Sequence, residues 1–307
     1  MKPVLRRAYP TDRELIVPLL RTFPDTKFKA ENWNKLFEFH WDCEEDYIGY
    51  VLIFDEKAVG FIGTTHSRRM IEGVSHKFCG LSSWIVDEAY RTSSLSMLML
   101  LLSEHKDYTI TNFTPIPEAD LIFRKLRWEY LEDRVYWLPG NRQFSGNIRI
   151  ESVTDATELS PEDRKVADAH LAFTKHVYKI RTDSEYTLLI GTEQQFTASR
   201  FIRSKWKTYP AKLIEMLSGR NPLSSVLHVL RIQHCSNQAI LNYILPGFSA
   251  YIRQQQLDGT VTDARFTGNK RPDGGYEGPI IKTMYKPCGV NPAQVDAIYT
   301  EVFILGH

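Results

Sequence analysis

The chain has 307 residues, of which 43% are hydrophobic and 24% charged, and its 38 basic against 37 acidic side chains leave a formal net charge of +1. That length suits two domains of ordinary size, and that composition buries a core without help from disulfides or metals. A near-zero charge supplies no general field for drawing in nucleic acid or an anionic membrane, so any anion site has to be built locally.

In chain order, residues 4–8 alternate apolar and polar character as a strand does, and Thr11-Asp12 ahead of residues 14–20 supplies a polar cap for a first helix. Trp33, Leu36 and Phe37 fall at helical spacing in a second helix over 30–39. Residues 48–54 and 58–66, joined at Asp55-Glu56-Lys57, read as a hairpin that ends at His66, and residues 77–86 as a third antiparallel strand. Residues 94–105 are apolar on nearly all sides, as expected of a helix buried against a sheet. A strand over 108–113, a helix over 117–126 with Pro117 in its first turn, and a strand over 135–138 complete the first half.

The stretch P-G-N-R-Q-F-S-G-N over 139–147 is rich in turn formers and has no apolar period, which sets the boundary between domains at 1–139 and 147–307. The second half restarts with a strand over 148–150, helices over 161–175 and 194–205, and strands over 225–234 and 239–244. Gly191-Thr192-Glu193 reads as a helix start and not as a second phosphate loop. No run approaches the roughly 20 apolar residues of a membrane span, and M-K-P-V-L-R-R-A-Y-P has no apolar signal region, so a cytoplasmic protein is expected. Cys43, Cys79, Cys235 and Cys288 are scattered, form no C-x-x-C or Cys/His cluster along the sequence, and read as reduced thiols with no metal site.

One short stretch stands out. Residues 90–97 read Y-R-T-S-S-L-S-M, small hydroxyl residues opened by an arginine, between a strand and the most apolar helix. Ser93 or Ser94 can cap the helix with a side-chain oxygen. The same unsatisfied N–H groups, at the positive end of the helix dipole, can instead hold a phosphate, with Arg91 adding a charge-assisted contact.

The order of elements, together with W-I-V-D-E-A-Y-R-T-S-S-L-S over 84–96, resembles the GNAT acyltransferase superfamily over about residues 3–138. The resemblance implies an α/β (α+β) fold with a mixed, mostly antiparallel sheet flanked by helices, followed by a second GNAT-like α/β lobe. It also implies acetyl-CoA or another acyl-CoA as cofactor, held by Trp84, Ile85, Val86, Arg91, Thr92, Ser93, Ser94, Leu95 and Ser96, with the Ile85 or Val86 amide polarising the thioester. Ser94 and Ser96 stand where the superfamily has glycine or alanine. A second correspondence runs over 119–131, where Phe123 takes the place of a tyrosine that often protonates the departing thiolate, Arg127 that of a glycine, and Trp128 follows. Phenylalanine donates no proton, and Tyr130 is the nearest phenol in sequence.

For the base that such chemistry needs, His66 is the first choice because histidine titrates near neutrality, with His76 and Asp87 as alternatives. Asn112 is a candidate for lining the acyl group, and it and Thr114 also fit as turn formers before Pro115. F-I-R-S-K-W-K-T-Y-P over 201–210 resembles the second lobe of tandem GNAT-like chains, including ones associated with bacterial polysaccharide biosynthesis. Trp206, Tyr209, His234 and Asp263 are candidates for facing the acceptor, with core packing as the alternative for the aromatics, and the polar loop 268–275 reads as a lid or an exposed turn.

The expectation is an acyltransferase moving an acetyl or other short acyl group to an amine or hydroxyl, a small molecule or sugar, with no nucleic acid, no membrane span and a homodimer left open. The alternative is a GNAT-like binding or scaffold protein that has lost catalysis, favoured by Ser94, Ser96 and Phe123. Transfer from a charged tRNA is disfavoured by the near-neutral charge.

Overall fold

The computed structural model describes residues 2–23, 28–132, 134–140, 146–197, 226–278 and 281–306. The chain opens with β1 (Val4–Ala8), α1 (Arg13–Leu20), α2 (Ala30–Asn34), β2 (Gly49–Phe54), β3 (Lys57–Ile71) and β4 (Val74–Val86). It continues with α3 (Ser94–Glu104), β5 (Thr109–Asn112), α4 (Pro117–Lys125), β6 (Glu129–Glu132) and β7 (Val135–Pro139). Next come β8 (Arg149–Ser152), α5 (Pro161–His170), β9 (Val177–Arg181), β10 (Tyr186–Thr197), β11 (Val226–Cys235), α6 (Leu241–Gln254) and β12 (Gly259–Asp263). The last elements are β13 (Tyr276–Glu277), β14 (Thr283–Lys286) and α7 (Glu301–Leu305).

Two compact units result: Met1–Leu131 with Thr283–Gly306, and Glu132–Lys282. This corrects the boundary expected at 139–147. β7 pairs with β12, Leu138 opposite Thr260, and so belongs to the second sheet; β14 pairs with β5, Met284 opposite Asn112, and so belongs to the first. Each unit takes a strand from the other half of the sequence, a choice of partner that local pattern does not encode.

The first unit is a seven-stranded sheet in the order β1-β2-β3-β4-β5-β14-β6. Its long β3–β4 hairpin is antiparallel, whereas β4 and β5 are parallel, with α3 as the crossover between them. Tyr50, Leu52, Ile62, Cys79, Leu81 and Ile110 share one buried cluster with Met97, Leu98 and Leu101 of α3 and Phe123 of α4. Full burial of side chains this size contributes about 1.5–3 kcal/mol each, which is what holds α3 and α4 in place. A second cluster joins Phe78 and Phe113 to Tyr285, Val290, Val295 and Val302, fastening the returning C-terminal segment.

The second unit, β13-β7-β12-β11-β10-β9-β8, repeats that plan with a parallel β11–β12 pair and α6 between them. Here several expectations are corrected. Residues 194–197 are the end of β10, not a helix start, because Gln194 and Phe196 pair with Val229 and Leu227 of β11; residues 198–205 lie outside the described set. Gly191 likewise sits in β10, beside a bulge. Residues 239–244 are not a strand: a 3-10 turn leads into α6, whose Leu241, Ile244, Leu245, Phe248 and Ile252 are buried at helical spacing.

Candidate active site

Pairing between β4 and β5 is confined to Phe78–Thr109, Cys79–Ile110 and Gly80–Thr111. β4 runs on along β3 to Val86, while β5 ends at Asn112. Among the described residues, no hydrogen bond or ion pair joins 82–86 of β4 to 112–114 beyond β5. The two strands therefore part, leaving one edge of β4 open. At the parting, a bulge sets Ser82 and Ser83 against Gly63 of β3, and a Cβ on Gly63 would overlap the Ser82 hydroxyl.

The Asp87 N–H donates to the Val59 carbonyl at 2.9 Å. Amides alternate in direction along a strand, so the Ile85 N–H also faces β3, and those of Trp84 and Val86 face the open edge. Of the two amides expected to polarise a carbonyl, only that of Val86 is directed to the gap. The Trp84 ring is half-buried, 5.9 Å from the Phe123 ring.

Past Val86 the chain makes a 3-10 turn over Glu88–Ser93 and enters α3 at Ser94. Neither Asp87 before the turn nor Ser93 before the helix has its side chain in a capping hydrogen bond. Arg91, Thr92, Leu95 and Ser96 are exposed, Ser93 and Ser94 half-buried, and Arg91 has no ion pair among the described residues. The Ser94 N–H is taken by the Arg91 carbonyl of the turn, so what faces solvent at this entry is the Arg91 guanidinium with the hydroxyl residues around it, groups that make charge-assisted contacts to anions.

His66 is not at a strand end. β3 extends to Ile71, and His66 lies mid-strand opposite Cys79, 5% exposed, with its Nε2 2.9 Å from Nε2 of His105. Burial, with His105 beside it, lowers its pKa well below the ordinary histidine range. It is neutral, already hydrogen-bonded, and three strand positions past Gly63 at the bulge, so its surroundings do not support the role of base. His76 is in β4 opposite Arg69, not in a loop. Phe123 is fully buried with its ring stacked 4.4 Å from Trp128, a core residue. The Tyr130 hydroxyl donates to Asp120 at 2.6 Å.

Asn112 is at the lip of the gap, where its Oδ1 accepts the Thr114 N–H at 3.0 Å. Next to it is a residue that sequence reasoning missed. Glu301, at the start of α7, is 1% exposed; its Oε1 accepts the Thr114 hydroxyl at 3.4 Å, and its Oε2 has no partner among the described residues. Its neighbour Thr300 packs on Gly80, the last β4 residue paired with β5, at 3.4 Å from where a Cβ would be. Burial pushes the Glu301 carboxyl up to about 8. In the sequence, E-V-F-I-L offers only a polar residue before an apolar turn, and nothing local says where the segment docks.

The equivalent places in the second unit are filled. Arg231 of β11 reaches Asp263 at the end of β12 at 3.2 Å, and Arg265 reaches the same carboxylate at 3.1 Å, all three buried. Asn237 caps the turn before α6 by accepting the Ala239 N–H at 3.1 Å. Asp263 is thereby committed to ion pairs rather than to an acceptor, and His234 is the half-buried next-to-last residue of β11. Trp206 and Tyr209 lie outside the described residues. No helix among the described residues is long and apolar enough to cross a membrane.

A GCN5-related N-acetyltransferase from Anabaena variabilis superposes on 95% of this chain and 74% of its own, with a TM-score of 0.56 and 12% identity. A putative acetyltransferase from Pyrococcus horikoshii matches 97% of this chain and 93% of its own, with a TM-score of 0.52 and 12% identity. A GCN5-related N-acetyltransferase from Kribbella flavida matches 94% and 72%, at 0.51 and 12%. No protein-family model matches the sequence, and no curated protein does. The likeness is one of fold: two mostly antiparallel sheets flanked by helices, as in the GNAT acetyltransferases.

Proposed function

We propose that the first unit transfers an acetyl or other short acyl group from acyl-CoA to an amine or hydroxyl acceptor. One observation carries this: the open edge of β4, with the Val86 amide directed into it, runs straight into a helix entry that no side chain caps. A CoA diphosphate is held by Arg91 and the hydroxyls at the entry of α3, and the pantetheine arm follows the β4 edge. The thioester then lies at the bulge, its oxygen accepting from Val86 N–H.

The acceptor's nitrogen or oxygen attacks the thioester carbon, forming the new C–N or C–O bond as the C–S bond breaks. Its proton passes to the Glu301 carboxylate, whose raised pKa suits a base working near neutral pH. The departing thiolate takes its proton from solvent, since Phe123 offers none. Asn112 and Thr114 hold the lip of the gap and orient Glu301. A sugar or polysaccharide precursor is the acceptor class that the sequence resemblance favours.

Titration calorimetry with acetyl-CoA and CoA, followed by a free-thiol assay over amines, sugars and alcohols, tests the reading. Binding with an affinity in the micromolar range and acceptor-dependent thiol release are expected. No heat at millimolar ligand sinks it. Binding without thiol release for any acceptor favours the scaffold reading, to which the buried Phe123 in place of a phenol gives its support.

A further inference from the structure

On the face of the first sheet that packs against α3, at a different place from the parting of β4 and β5, three metal-ligating side chains meet. His66 of β3 and Cys79 of β4 are directly opposite each other in the ladder, and His105 caps the C-terminus of α3 above them. All three are buried, and one ring nitrogen of each histidine and the Cys79 Sγ lie within 4.8 Å of one another. The residues are 13 and 26 positions apart in sequence, so nothing along the chain shows a cluster and only the fold brings the three together.

We propose that His66, Cys79 and His105 bind a d10 transition-metal ion, Zn2+ or Cu+. One thiolate and two imidazoles are a borderline-to-soft donor set that selects these ions over Mg2+ or Ca2+. His105 is oriented as metal-binding histidines are: its Nδ1–H donates to the Leu101 carbonyl at 2.8 Å, which leaves the Nε2 lone pair facing the cluster. At present that lone pair faces Nε2 of His66 at 2.9 Å. Tetrahedral Zn–N and Zn–S bonds place donors about 3.3–3.6 Å apart, so an ion that enters rotates the two rings and spreads them by about 0.4 Å, with His66 passing to its Nδ1–H tautomer and the Cys79 thiol proton released to solvent.

The charges around the cluster fit a cation. Glu45 acts electrostatically on both Cys79 and His105, so thiolate and carboxylate together match a divalent ion. The Tyr47 hydroxyl, 3.1 Å from His105 Nε2, is an oxygen within reach as a fourth donor. The nearby cation Arg7, 4.4 Å from the Tyr47 ring, is already neutralised by Glu104 at 2.7 Å. A pocket whose lining includes His40, Cys43, Tyr47 and His66 gives an ion a route to the site. With every donor buried, the site is of the closed, structural kind, pinning the β3–β4 hairpin to the end of α3. It does not depend on the acyl-transfer reading.

The test uses the full chain carrying C43S and C288S, which removes the two cysteines that are not fully buried. Titrated with Co2+ as a spectroscopic stand-in for Zn2+, it should develop a thiolate-to-cobalt charge-transfer band saturating at one equivalent, bleached by one equivalent of Zn2+. A Cu+ arm under argon, read by competition with a chromophoric Cu+ chelator, separates the two ions. Cys79→Ser should lose the charge-transfer band, and His105→Ala should weaken it. If Cys79→Ser fails to fold, X-ray absorption of the metal-loaded parent supplies the readout, with one sulfur and two imidazole nitrogens expected. Failure of both ions to bind stoichiometrically, a band that survives Cys79→Ser, or a sulfur-free shell overturns the proposal.

Discussion

The Arg69 guanidinium of β3 donates to the Asp296 carboxylate at 2.9 Å, joining residues 227 positions apart in a buried ion pair. It also donates to the Asp296 carbonyl at 3.1 Å and to the Ile298 carbonyl, and it lies 4.1 Å over the Phe78 ring. This arginine holds the segment that ends in α7, and so positions Glu301. Removing one partner of such a pair strands the other charge in the interior at a cost of about 3–5 kcal/mol. Arg69→Met should lower the urea midpoint accordingly, and Arg69→Met with Asp296→Asn should recover most of the loss. Equal midpoints for the single and double variants would show that the pair is not what fastens the segment.

The two hairpins of the first sheet offer a backbone test. At the β3–β4 turn, Glu72 and Gly73 have φ of 51° and 79°; at the β2–β3 turn, Asp55 and Glu56 have 49° and 59°, with no glycine. The left-handed region costs an L-residue about 1–2 kcal/mol, and glycine's extra chain entropy gives back about 0.5–1 of that. Glu56→Gly should therefore stabilise the protein by about 0.5–1 kcal/mol, while Gly73→Ala, whose Cβ would meet nothing within 4 Å, should destabilise it by about 1 through backbone strain alone. Thermal unfolding of the two variants side by side measures both signs.

What was legible in the sequence is what is local. The apolar stretch of α3 and the central part of the long hairpin show their periods within a dozen residues, and the structure has them there, although β3 runs on past His66 to Ile71 and no side chain caps α3. What was not legible is set by partners distant in the chain. Gln194 and Gln195 look helical by composition, yet pairing with Val229 and His228 makes them strand. Pro246 punctuates α6 in its second turn and hides a helix whose buried face is otherwise regular. The same holds for the sites. The stretch 84–96 proposed for the cofactor is continuous in the sequence, whereas Glu301 reaches Thr114 across 187 positions and His66 meets His105 across 39.

The entry of α3 separates a cap from an anion site by a variant that pushes the two in opposite directions. An acidic residue in the first turn interacts favourably with the helix dipole, by about 0.3–1 kcal/mol, but repels a diphosphate. Ser94→Asp should thus raise the unfolding temperature slightly and weaken CoA binding about 10-fold or more, a loss of about 1.4 kcal/mol or greater. Arg91→Ala should weaken CoA by roughly 10- to 100-fold, the range for a hydrogen bond to a charged group, with no change in stability because the side chain is exposed and unpaired. Ser94→Gly should leave affinity unchanged or improve it. Calorimetric titration gives the affinities; Ser94→Asp binding CoA as the parent does would remove the diphosphate from this position.

Glu301 ties stability to pH in a direction opposite to that of most carboxylates. Its carboxyl goes from an ordinary value of 4.5 to about 8 on folding, because burial penalises the charged form. The folded state therefore holds a proton that the unfolded chain releases. Its contribution is fully present below about pH 4.5, falls as pH rises from there to about 8, and is gone above, a swing of about 5 kcal/mol at most. Glu301→Gln, neutral at every pH, should abolish that slope and be more stable than the parent at pH 9. Catalysis should move the other way, since only the carboxylate accepts a proton. In the parent, kcat/KM should rise with pH and level off above about 8, and Glu301→Gln should cost about 100- to 10,000-fold in kcat. A Glu301→Gln protein that gains stability at pH 9 but keeps the parent's rate would leave Glu301 a buried acid without a part in the transfer. One that gains stability and loses the rate makes it the base.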